Sequence, residues 1–501
     1  MRTALDVGRG LAPARPARRI TAGERIHVVG AAGTGASAAA LLAARAGGTV
    51  TGCDPGGPSP YTAPLEAAGI SLAWQHSADH LRLDASGGAT VDRLAVTKAL
   101  TAIDPDNAEL AAAHALGVPT EPWQQVIADV AASSGQALVA VAGTHGKSTT
   151  SGWLVDLLVR AGRDPSAFVG ALLPPQLTGG LPATSRFGTG DVFVVEADEY
   201  AGNFDPYRPT VTLLLNAEWD HPDVFADRDA VLDAFASWLR RAASEIREPT
   251  LVANTDDPGV AAIIARLADW PGRIVRVGGA EGSEVTGRVE MTDGRTTLAV
   301  TRPSQRERAF DVGLAGRHNA ANALAIVGAA AVLGVDDDTL ARSLAEYGGV
   351  GRRMELKGDV AGIVVLDDYG HHPTAIARTL EAVRQRYPGR RTWAVYEPLT
   401  FHRTALMLDG FADALAAADE VAIADVWAGR DPDTTITDST ALADAVNRRR
   451  RAPAVAPGSV EETADYVAAN ARSGDVVLVM GGGRSYVIAQ RLVELLQSAA
   501  R

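Results

Sequence analysis

The strongest constraint on the fold is the stretch ALVAVAGTHGKSTT at residues 137–150. It begins as a short apolar run of the kind found in buried strands, and after Lys147 it continues into the helical pattern SGWLVDLLVRAG. A strand that enters a helix through a glycine-rich turn directs backbone N–H groups and the positive helix end at one point. The stretch therefore predicts an α/β domain with an anion site at this turn.

The turn departs from the common phosphate-binding pattern G-x-x-x-x-G-K-[ST], because Val141 stands where the first glycine is expected. A chance glycine turn is the alternative, but Lys147 follows Gly146 directly in a chain with three lysines among 47 basic residues. In the phosphate interpretation Lys147 neutralises β- and γ-phosphate charge, and the Ser148 hydroxyl binds Mg²⁺. The loop residues expected to contact ATP are Gly143, Thr144, His145, Gly146, Lys147, Ser148 and Thr149.

Bulk composition narrows the class of protein. A chain of 501 residues is too long for one hydrophobic core, and 47% hydrophobic with 21% charged residues is a globular composition. The formal net charge of −13 argues against a nucleic-acid partner. Cys53 is the only cysteine, and there is no long uninterrupted apolar run. We therefore expect a cytoplasmic protein with no disulfide and no membrane insertion.

Short apolar runs alternate with alanine-rich helical stretches, which predicts three successive α/β domains with mostly parallel sheets. The first and third domains have the pattern of Rossmann-like folds, and the central one is of the P-loop ATPase type. Within the central block, apolar and polar residues alternate along 283–300 on both sides of an Asp-Gly pair, which predicts a β-hairpin. The arginine-rich start has no secretory signal core and is expected to be a flexible extension or the result of a mis-assigned start codon. The predicted segments are the extension 1–24 and the domains 25–136, 137–347 and 348–501.

Acidic and amide side chains follow two apolar runs of the central block, in EADEY and NAEWDHPD. The carboxyl ends of parallel strands face the ligand crevice, and Mg²⁺ takes oxygen ligands beside phosphates. Glu196 is the best candidate for a metal ligand, with Asp198 and Glu199 behind it. Asp220 and His221 are expected beside the same crevice. A solvated acidic turn is the alternative interpretation of the first cluster.

Two later motifs are also candidates for ligand contacts. Asn319 and Asn322 lie in the first turn of a predicted helix, where they either cap the helix or contact an adenine edge. LDDYGHHPTAI (366–376) concentrates titratable groups in a loop between a strand and a helix. No Ser/His/Asp or Cys/His nucleophile arrangement stands out. The pattern favours transfer of a phosphoryl group to a substrate carboxylate, which requires positioning and charge neutralisation.

Taken together, the motifs resemble the Mur ligases, the ATP-dependent amide-forming enzymes of peptidoglycan synthesis and thus of cell-wall biogenesis. GTHGKSTT, EADEY, NAEWDH, HNAANALA, GRRMELKG and LDDYGHHPTAI occur in that family's order, and the loop without the first glycine is the family's own form. The resemblance implies domains for a UDP-sugar, for ATP, and for the ATP ribose with the amino acid. The branch that adds L-alanine to UDP-N-acetylmuramate through an acyl phosphate is the most similar one. A tripeptide-recycling ligase, a paralogue using another amine, and a catalytically weak nucleotide-binding protein are the alternatives.

The resemblance also implies roles for individual residues, ATP and two Mg²⁺ ions as cofactors, and a monomer or homodimer. Lys147, Glu196 and His221 would be catalytic, and Ser148, Glu196 and His221 would bind the metal ions. Asn319, Asn322, Arg353 and Asp368 would complete the ATP site. The UDP-sugar would contact Gly30, Gly33, Gly35, Ser37, Asp54 and His76, and the amino acid would contact His371, His372, His402 and Arg403.

The chain departs from the family pattern where the amino acid is expected to bind. The motif there reads EPLTFHRT, with Leu399 and Thr400 where the family has His and Arg. Arg403 could pair with the α-carboxylate instead. The Glu397-Pro398 pair resembles the recycling branch. The carbamylated lysine of several family members has no counterpart, since no lysine lies between Lys147 and Lys357.

Overall fold

The computed structural model describes residues 7–82, 89–279, 282–292, 294–429, 431 and 433–499. Within these residues the strands form three sheets of five, ten and six strands. Most strand pairs are parallel, with helices as the connections. The predicted α/β class with three mostly parallel sheets is confirmed.

Strands and helices alternate along the chain much as the sequence predicts. The strands are β1 (Arg25–Val29), β2 (Thr49–Cys53), β3 (Ser71–Ala73), β4 (Arg93–Val96), β5 (Thr120–Pro122), β6 (Ala137–Ala142), β7 (Ser166–Leu173), β8 (Ala183–Arg186), β9 (Val192–Ala197), β10 (Val211–Leu214), β11 (Thr250–Asn254), β12 (Arg273–Gly278), β13 (Val285–Thr292), β14 (Arg295–Thr301), β15 (Arg308–Val312), β16 (Glu355–Val360), β17 (Ile363–Asp368), β18 (Thr392–Glu397), β19 (Glu420–Ala424), β20 (Ala454–Gly458) and β21 (Val476–Gly481). The helices are α1 (Thr34–Arg45), α2 (Ala63–Ala67), α3 (Lys98–Ile103), α4 (Ala108–Leu116), α5 (Trp123–Ser134), α6 (Lys147–Arg160), α7 (Pro175–Thr178), α8 (Arg228–Ala243), α9 (Pro258–Arg266), α10 (Arg317–Leu333), α11 (Asp337–Glu346), α12 (Pro373–Arg386), α13 (Phe401–Leu406), α14 (Leu408–Leu415), α15 (Ser439–Asn447), α16 (Val460–Asn470) and α17 (Ser485–Ala499), with 3₁₀ turns at Ala78–Leu81 and Tyr200–Gly202. Among the described residues, none of these helices combines the length and the hydropathy that crossing a bilayer requires.

The chain divides into two compact units. The first runs to Gly287 and includes Val300–Glu307 and Asn322–Ser343. The second comprises Arg288–Ala299, Arg308–Ala321 and the chain from Leu344 onward. The first sheet and the loop between β6 and α6 therefore belong to the first unit, and the third sheet belongs to the second.

The first sheet has the order β3-β2-β1-β4-β5 with parallel pairing throughout. Val29 is paired with Cys53 on one side and with Val96 on the other, so three strands end at one level. Side chains such as Val28 and Leu42 are buried where α1 packs on the sheet. The turn after β1 and the residues after β2 thus lie at a common edge.

The second sheet has the order β15-β14-β13-β12-β11-β10-β6-β9-β7-β8. Strand β6 pairs in parallel with β10 through Ala142 and Leu214, and with β9 through Val141 and Glu196. The loop that follows β6 therefore emerges between the ends of β9 and β10. This register brings together three motifs that are distant in the sequence.

The predicted hairpin at 283–300 is confirmed, because β13 and β14 are neighbours in the second sheet. Gly294 takes a positive φ of 77° in the connection. The aspartate of the Asp-Gly pair lies outside the described residues.

The third sheet has the order β16-β17-β21-β18-β19-β20. Strand β21 lies between β17 and β18 in parallel, with Asp368 paired with Met480 and Glu397 paired with Gly481. The end of β17 and the end of β18 are therefore one strand apart. They carry the two motifs that the sequence assigns to ligand binding in this domain.

The segment before β1 differs from the predicted flexible extension from residue 7 onward. The Arg15 guanidinium lies 2.6 Å from Oε1 of Glu121 and 2.7 Å from Oδ2 of Asp129. The Ile20 N–H donates to Oγ of Ser133 at 2.8 Å. This stretch is packed along α5 because its arginine neutralises two buried carboxylates. Residues 1–6 lie outside the described residues.

Candidate active site

Two glycines give the loop between β6 and α6 its conformation. Gly143 has φ +141°, and a Cβ there would lie 3.0 Å from the backbone oxygen of Asn216. Gly146 has φ +82° at the start of α6, and a Cβ there would lie 2.9 Å from Oδ1 of Asn322. Any larger residue would combine backbone strain with a close contact. Both glycines are therefore required where the loop packs closely against Asn216 and Asn322.

The side chain of Asn216, at the end of β10, holds this loop in place. Its Oδ1 accepts from the His145 N–H at 2.7 Å, and its Nδ2 donates to the His145 carbonyl at 2.9 Å. The Thr144 Oγ1 accepts from the Glu218 N–H at 2.9 Å. The sequence does not predict this role of Asn216. An amide directly after an apolar strand was the available signal, but its partner loop lies 71 residues away.

The Lys147 ammonium is held by two carboxylates of EADEY. It donates to Oε2 of Glu199 at 2.7 Å and lies 3.4 Å from Oδ1 of Asp198. Burial alone would lower the pKa of Lys147, but the charges of Glu199 and Asp198 outweigh it and raise the pKa well above its usual range. Lys147 is therefore a fixed positive charge at the start of α6.

Ser148 and Glu196 form the second pair in this region. The Ser148 Oγ donates to Oε1 of Glu196 at 3.1 Å, and the Gly170 N–H donates to Oε2 at 2.6 Å. A Cβ at Gly170 would lie 2.6 Å from Oε1 of Glu196, so this glycine on β7 makes room for the carboxylate. This role of Gly170 is not predicted from the sequence, although a glycine inside an apolar strand signals a close approach.

His221 joins the same region through Asp198 and Glu199, since one ligand atom of each lies within 4.8 Å of the others. Burial raises the pKa of Asp198, but Lys147 and His221 lower it more strongly, so its pKa falls below the ordinary value. The oxygen donors of Asp198, Glu199 and Glu196 suit a hard divalent cation beside phosphates. The residues present therefore fit Mg²⁺. Asp220 instead accepts the His221 N–H with its Oδ1 at 2.6 Å.

The remaining loop positions are partly buried. His145 Nε2 lies 3.5 Å from Oε2 of Glu218, and Thr149 is buried in the first turn of α6. Asn322 lies over the loop through its close approach to Gly146. Asn319 donates its Nδ2 to the carbonyl of Ala315 at 2.7 Å. Asn319 is thus tied to the backbone just before α10 as a donor, whereas a helix cap would accept an N–H.

In the second unit, the loop after β17 gathers the predicted residues of that domain. Asp368 accepts the Met354 N–H at 2.9 Å and the Gly370 N–H at 2.7 Å. Burial raises the pKa of Asp368, with Arg353 opposing it. The Arg353 guanidinium lies 5.1 Å from the centroid of the Tyr369 ring. Asp368 thus fixes a turn, while Arg353 stacks on an aromatic face.

The structure also shows the contacts of the three predicted histidines of this domain. His371 Nδ1 is 2.9 Å from the Tyr369 carbonyl, and His372 accepts the Thr374 N–H with its Nδ1 as the N-cap of α12. His402 pairs elsewhere, because its backbone N–H donates to Oδ2 of Asp431 at 2.7 Å. His371 and His372 share one turn, whereas His402 is tied to a different loop.

Arg403 and Glu397 are the buried charged groups of EPLTFHRT. Arg403 Nη1 is 3.5 Å from the His371 carbonyl, which brings it toward the histidine turn. Burial raises the pKa of Glu397, which is partly offset by the N–H groups of Arg484 and Ser485. Glu397 belongs to the Glu-Pro pair that resembles the recycling branch, but the sequence does not assign it to the site. Thr400 has φ +61°, a strained backbone next to these groups.

The predicted UDP-sugar residues divide into two sets. Gly30 and Asp54 shape the turn after β1: Gly30 has φ +82°, and Asp54 accepts the Ala32 N–H at 3.1 Å. Gly35 and Ser37 are instead packed against other residues of the protein. A Cβ at Gly35 would lie 2.2 Å from the Trp123 ring. Ser37 is buried, and its hydroxyl donates to the Thr34 carbonyl at 2.9 Å and lies 3.2 Å from Oγ1 of Thr184.

Gly33 and His76 complete the predicted set. Gly33 precedes α1 as its N-cap in an extended conformation, so the helix start points into the same turn. His76 Nδ1 lies 3.3 Å from Sγ of Cys53, at the end of β2. Gly30, Gly33, Asp54 and His76 thus lie at the common edge of the first sheet.

Three family models match successive parts of the chain. Residues 25–134 match the Mur ligase family catalytic domain, residues 141–330 match the Mur ligase middle domain, and residues 352–483 match the Mur ligase glutamate ligase domain. The order of the three matches is the order of the three sheets.

Individual proteins are similar over nearly the whole length. The UDP-N-acetylmuramate--L-alanine ligase of Frankia casuarinae is 36% identical over 95% of this chain and 98% of its own. The enzyme of that name from Kineococcus radiotolerans is 38% identical over 94% and 96%. Among solved structures, the UDP-N-acetylmuramate-alanine ligase of Thermotoga maritima has a TM-score of 0.78 at 24% identity, covering 95% of this chain and 99% of its own. With models and relatives that together span it almost from end to end, the chain belongs to the Mur ligase family.

Proposed function

We propose that this protein is an ATP-dependent ligase that joins L-alanine to UDP-N-acetylmuramate, with ADP and phosphate as the other products. The observation that carries the proposal is the likeness to curated ligases of that name, at 36–38% identity over at least 94% of the chain. The phosphate-type loop with Lys147, Ser148 and Glu196 supports the use of ATP. A protein with these parts intact is not expected to be a mere binding module.

The proposed reaction begins with transfer of the γ-phosphoryl group of ATP to the substrate carboxylate. The bond to the ADP oxygen breaks, and a mixed acyl phosphate forms. The amino group then attacks the carbonyl carbon, loses a proton and displaces phosphate, which leaves an amide. No step needs a protein nucleophile, so the chain's contribution is positioning and charge neutralisation. Lys147 would move from Glu199 to the phosphoryl oxygens.

Mg²⁺ would supply charge neutralisation between the phosphates. Ser148, Glu196 and His221, with Asp198 and Glu199 beside them, are the residues that would hold two such ions. Their oxygen-rich donor set supports this assignment. Ser148 and Glu196 already hydrogen-bond to each other, so the pair needs little rearrangement to bind a cation together.

The remaining contacts form a second part of the proposal. UDP-N-acetylmuramate would lie along the turn that contains Gly30, Gly33, Asp54 and His76. Asn322 would contact adenine, while Arg353 and Asp368 would contact phosphate and ribose. His371, His372, His402 and Arg403 would line the amino-acid site. Gly35 and Ser37 would support the UDP-sugar turn through the packing of α1.

A second candidate is recycling, in which a whole peptide replaces the single amino acid. The Glu397-Pro398 pair supports it, because this pair resembles the recycling branch and Glu397 is buried at the end of β18. The murein peptide ligase of Psychrobacter arcticus also shares this fold, with a TM-score of 0.70 at 26% identity over 95% of this chain and 99% of its own. The identity of the amine is therefore the point that the experiment must decide.

The test is an incubation with ATP, Mg²⁺ and UDP-N-acetylmuramate, with L-alanine, other single amino acids or a tripeptide as the amine. Phosphate release and the product mass are measured. Release with L-alanine, and a product heavier by one alanine residue, supports the first candidate. Release with the tripeptide but not with L-alanine establishes the second, and no release with any amine contradicts both. The Lys147→Ala variant controls for contaminating ATPases.

The location and assembly of the enzyme complete the proposal. An ATP-consuming ligase with one unpaired thiol is expected to work in the cytoplasm. We propose a monomer or a homodimer, which sedimentation of the purified protein distinguishes directly.

A further inference from the structure

A buried group of four side chains in the first domain has no part in the proposed reaction. It consists of His27, Cys53, His80 and Glu109, hereafter the Cys-His-Glu cluster. One ligand atom from each residue lies within 4.8 Å of the others. The cluster joins four elements, because the residues come from β1, β2, the 3₁₀ turn at Ala78–Leu81 and α4 respectively.

The donors converge on the carboxylate of Glu109. Cys53 Sγ lies 3.2 Å from both of its oxygens, and His80 Nδ1 makes a short hydrogen bond to Oε1. His27 Nε2 lies 3.9 Å from the same oxygen. Cys53 and Glu109 are fully buried, and His27 is 2% exposed. Four donor atoms of three chemical kinds are therefore gathered in a nearly closed space.

His27 gives an independent indication that a ligand belongs there. Its Nδ1 is 2.7 Å from Oγ1 of Thr51, which fixes the ring. The opposite nitrogen, Nε2, is buried and has no hydrogen-bond partner among the described residues. Buried polar atoms are normally satisfied. A histidine held at one nitrogen by a hydroxyl, with the other nitrogen directed into a donor cluster, has the arrangement of a metal ligand.

The charges of the cluster are also consistent with a bound cation. Burial lowers the pKa of His27 to about 4, so this imidazole is neutral and its Nε2 lone pair is available. Burial also raises the pKa of the Cys53 thiol, and the nearby Glu109 charge raises it further. A divalent cation would release the thiol proton to solvent and balance the charges of the thiolate and Glu109. No electron transfer is involved.

We propose that the Cys-His-Glu cluster is a structural site for a divalent transition-metal ion, with Zn²⁺ as the best match. The ligands are Nε2 of His27, Sγ of Cys53, a ring nitrogen of His80 and one oxygen of Glu109. Mixed sulfur, nitrogen and oxygen donors in a four-ligand set are typical of tetrahedral Zn²⁺. The donors of such a site are roughly 3.5 Å apart, so the wider separations must shorten and the contacts of Cys53 and His80 with Glu109 must lengthen, by about 1 Å.

The ion would tie the turn at Ala78–Leu81 and α4 to the ends of β1 and β2. His76, whose Nδ1 is 3.3 Å from Cys53 Sγ, would remain outside the four ligands as a hydrogen-bond donor to the thiolate. This role differs from that of Mg²⁺ in ATP chemistry. It also does not depend on the identity of the amine.

The single cysteine makes the proposal directly testable. The full chain is stripped with a chelator and titrated with Co²⁺, followed by ultraviolet–visible spectroscopy. We expect one equivalent to bind with the visible bands of tetrahedral Co²⁺ and a sulfur-to-cobalt charge-transfer band, which Cys53→Ser abolishes. His27→Ala should weaken Co²⁺ binding by roughly tenfold or more. His114→Ala, which changes an exposed histidine on α4, is the matched control and should leave both signals unchanged.

Two results would overturn the proposal. One is Co²⁺ binding without a sulfur charge-transfer band, which would place the ion elsewhere, such as among the oxygen and imidazole donors near Lys147. The other is equal affinity in the wild type and His27→Ala. Circular dichroism shows whether the variants fold. If Cys53→Ser does not, the rate at which the wild-type thiol reacts with Ellman's reagent is compared with and without Zn²⁺ in urea just below the unfolding midpoint, where opening of the fold exposes this buried thiol. Protection by Zn²⁺ supports the site, and an unchanged rate contradicts it.

Discussion

The Lys147 ammonium lies 2.7 Å from Oε2 of Glu199, across 52 residues of sequence. The carboxylate keeps a largely buried cation charged and close to the first turn of α6. Phosphate oxygens offer the ammonium the same kind of acceptor. The pair therefore fixes a positive charge at the position where the proposed phosphate site needs one.

Replacement of Lys147 by alanine should abolish turnover. The change removes the positive charge that neutralises the transferred phosphoryl group, so we expect kcat to fall by at least about 10²-fold. Phosphate release measures the rate. Binding of UDP-N-acetylmuramate, measured by calorimetry, should be nearly unchanged because the proposed UDP-sugar turn belongs to the first sheet.

Lys357→Ala is the matched control for Lys147→Ala. Lys357 pairs with Glu355, two residues away on β16, and has no part in the proposed site. Its replacement should leave kcat within about twofold of the wild type. Equal loss of activity in the two variants would refute a specific role for Lys147.

Gly146→Ala should impair ATP binding. The alanine would adopt φ near +82° with its Cβ 2.9 Å from Oδ1 of Asn322, so the loop must shift. We expect KM for ATP to rise by roughly tenfold or more, since small displacements at such sites are costly. Steady-state kinetics with varied ATP measures this.

Gly162, just beyond the other end of α6, provides the comparison. It also has a positive φ, +73°, but no atom lies within 4 Å of the position of a Cβ. Gly162→Ala should cost about 1 kcal/mol in the free energy of unfolding from backbone strain alone, with KM for ATP unchanged. A similar KM in both variants would show that the contact with Asn322 is unimportant.

Local patterns predicted much of the fold and of the phosphate loop. Strand, turn and helix are adjacent in the sequence at Lys147, so the sequence itself carries their geometry. Asn216 and Gly170 were missed because their roles depend on the order of strands in the sheet, which brings them to the loop and to Glu196. For the same reason, the contact between Cys53 and Glu109 could not be predicted from the sequence.

The contacts at the start of the chain could not be predicted for the same reason, because they are ion pairs with residues that are distant in the sequence. Arginines and prolines without an apolar core are typical of an extension, and nothing in their spacing reveals an acidic partner. Arg15 is ordered because Glu121 and Asp129 are buried more than 100 residues later. Only the tertiary structure brings these charges together.

Arg93 should be essential for the stability of the first domain. Its guanidinium is buried and lies 3.0 Å from Oε2 of Glu121 and 2.5 Å from Oδ2 of Asp129. Arg93→Met would leave these buried carboxylates with less positive charge. We expect the free energy of unfolding to fall by about 3–5 kcal/mol, measured by urea denaturation.

Arg25→Met is the matched control, because Arg25 pairs with Asp92 where both side chains are at least 40% exposed. This change should cost less than about 1 kcal/mol. If the two substitutions have equal effects, the buried network around Arg93 is not a major source of stability.

Stability should rise with pH through the titration of Lys98. This lysine donates to the carbonyl of Ala201 at 2.8 Å, and burial lowers its pKa from 10.5 to about 8, with Asp205 and Asp198 opposing the shift. Between pH 8 and 10.5 the unfolded chain therefore binds more protons than the folded one, so the free energy of unfolding increases with pH. The rise should reach about 3 kcal/mol relative to Lys98→Met, in which this titration is absent. Urea denaturation of both proteins across this range measures the difference, and a constant difference would contradict a lowered pKa for Lys98.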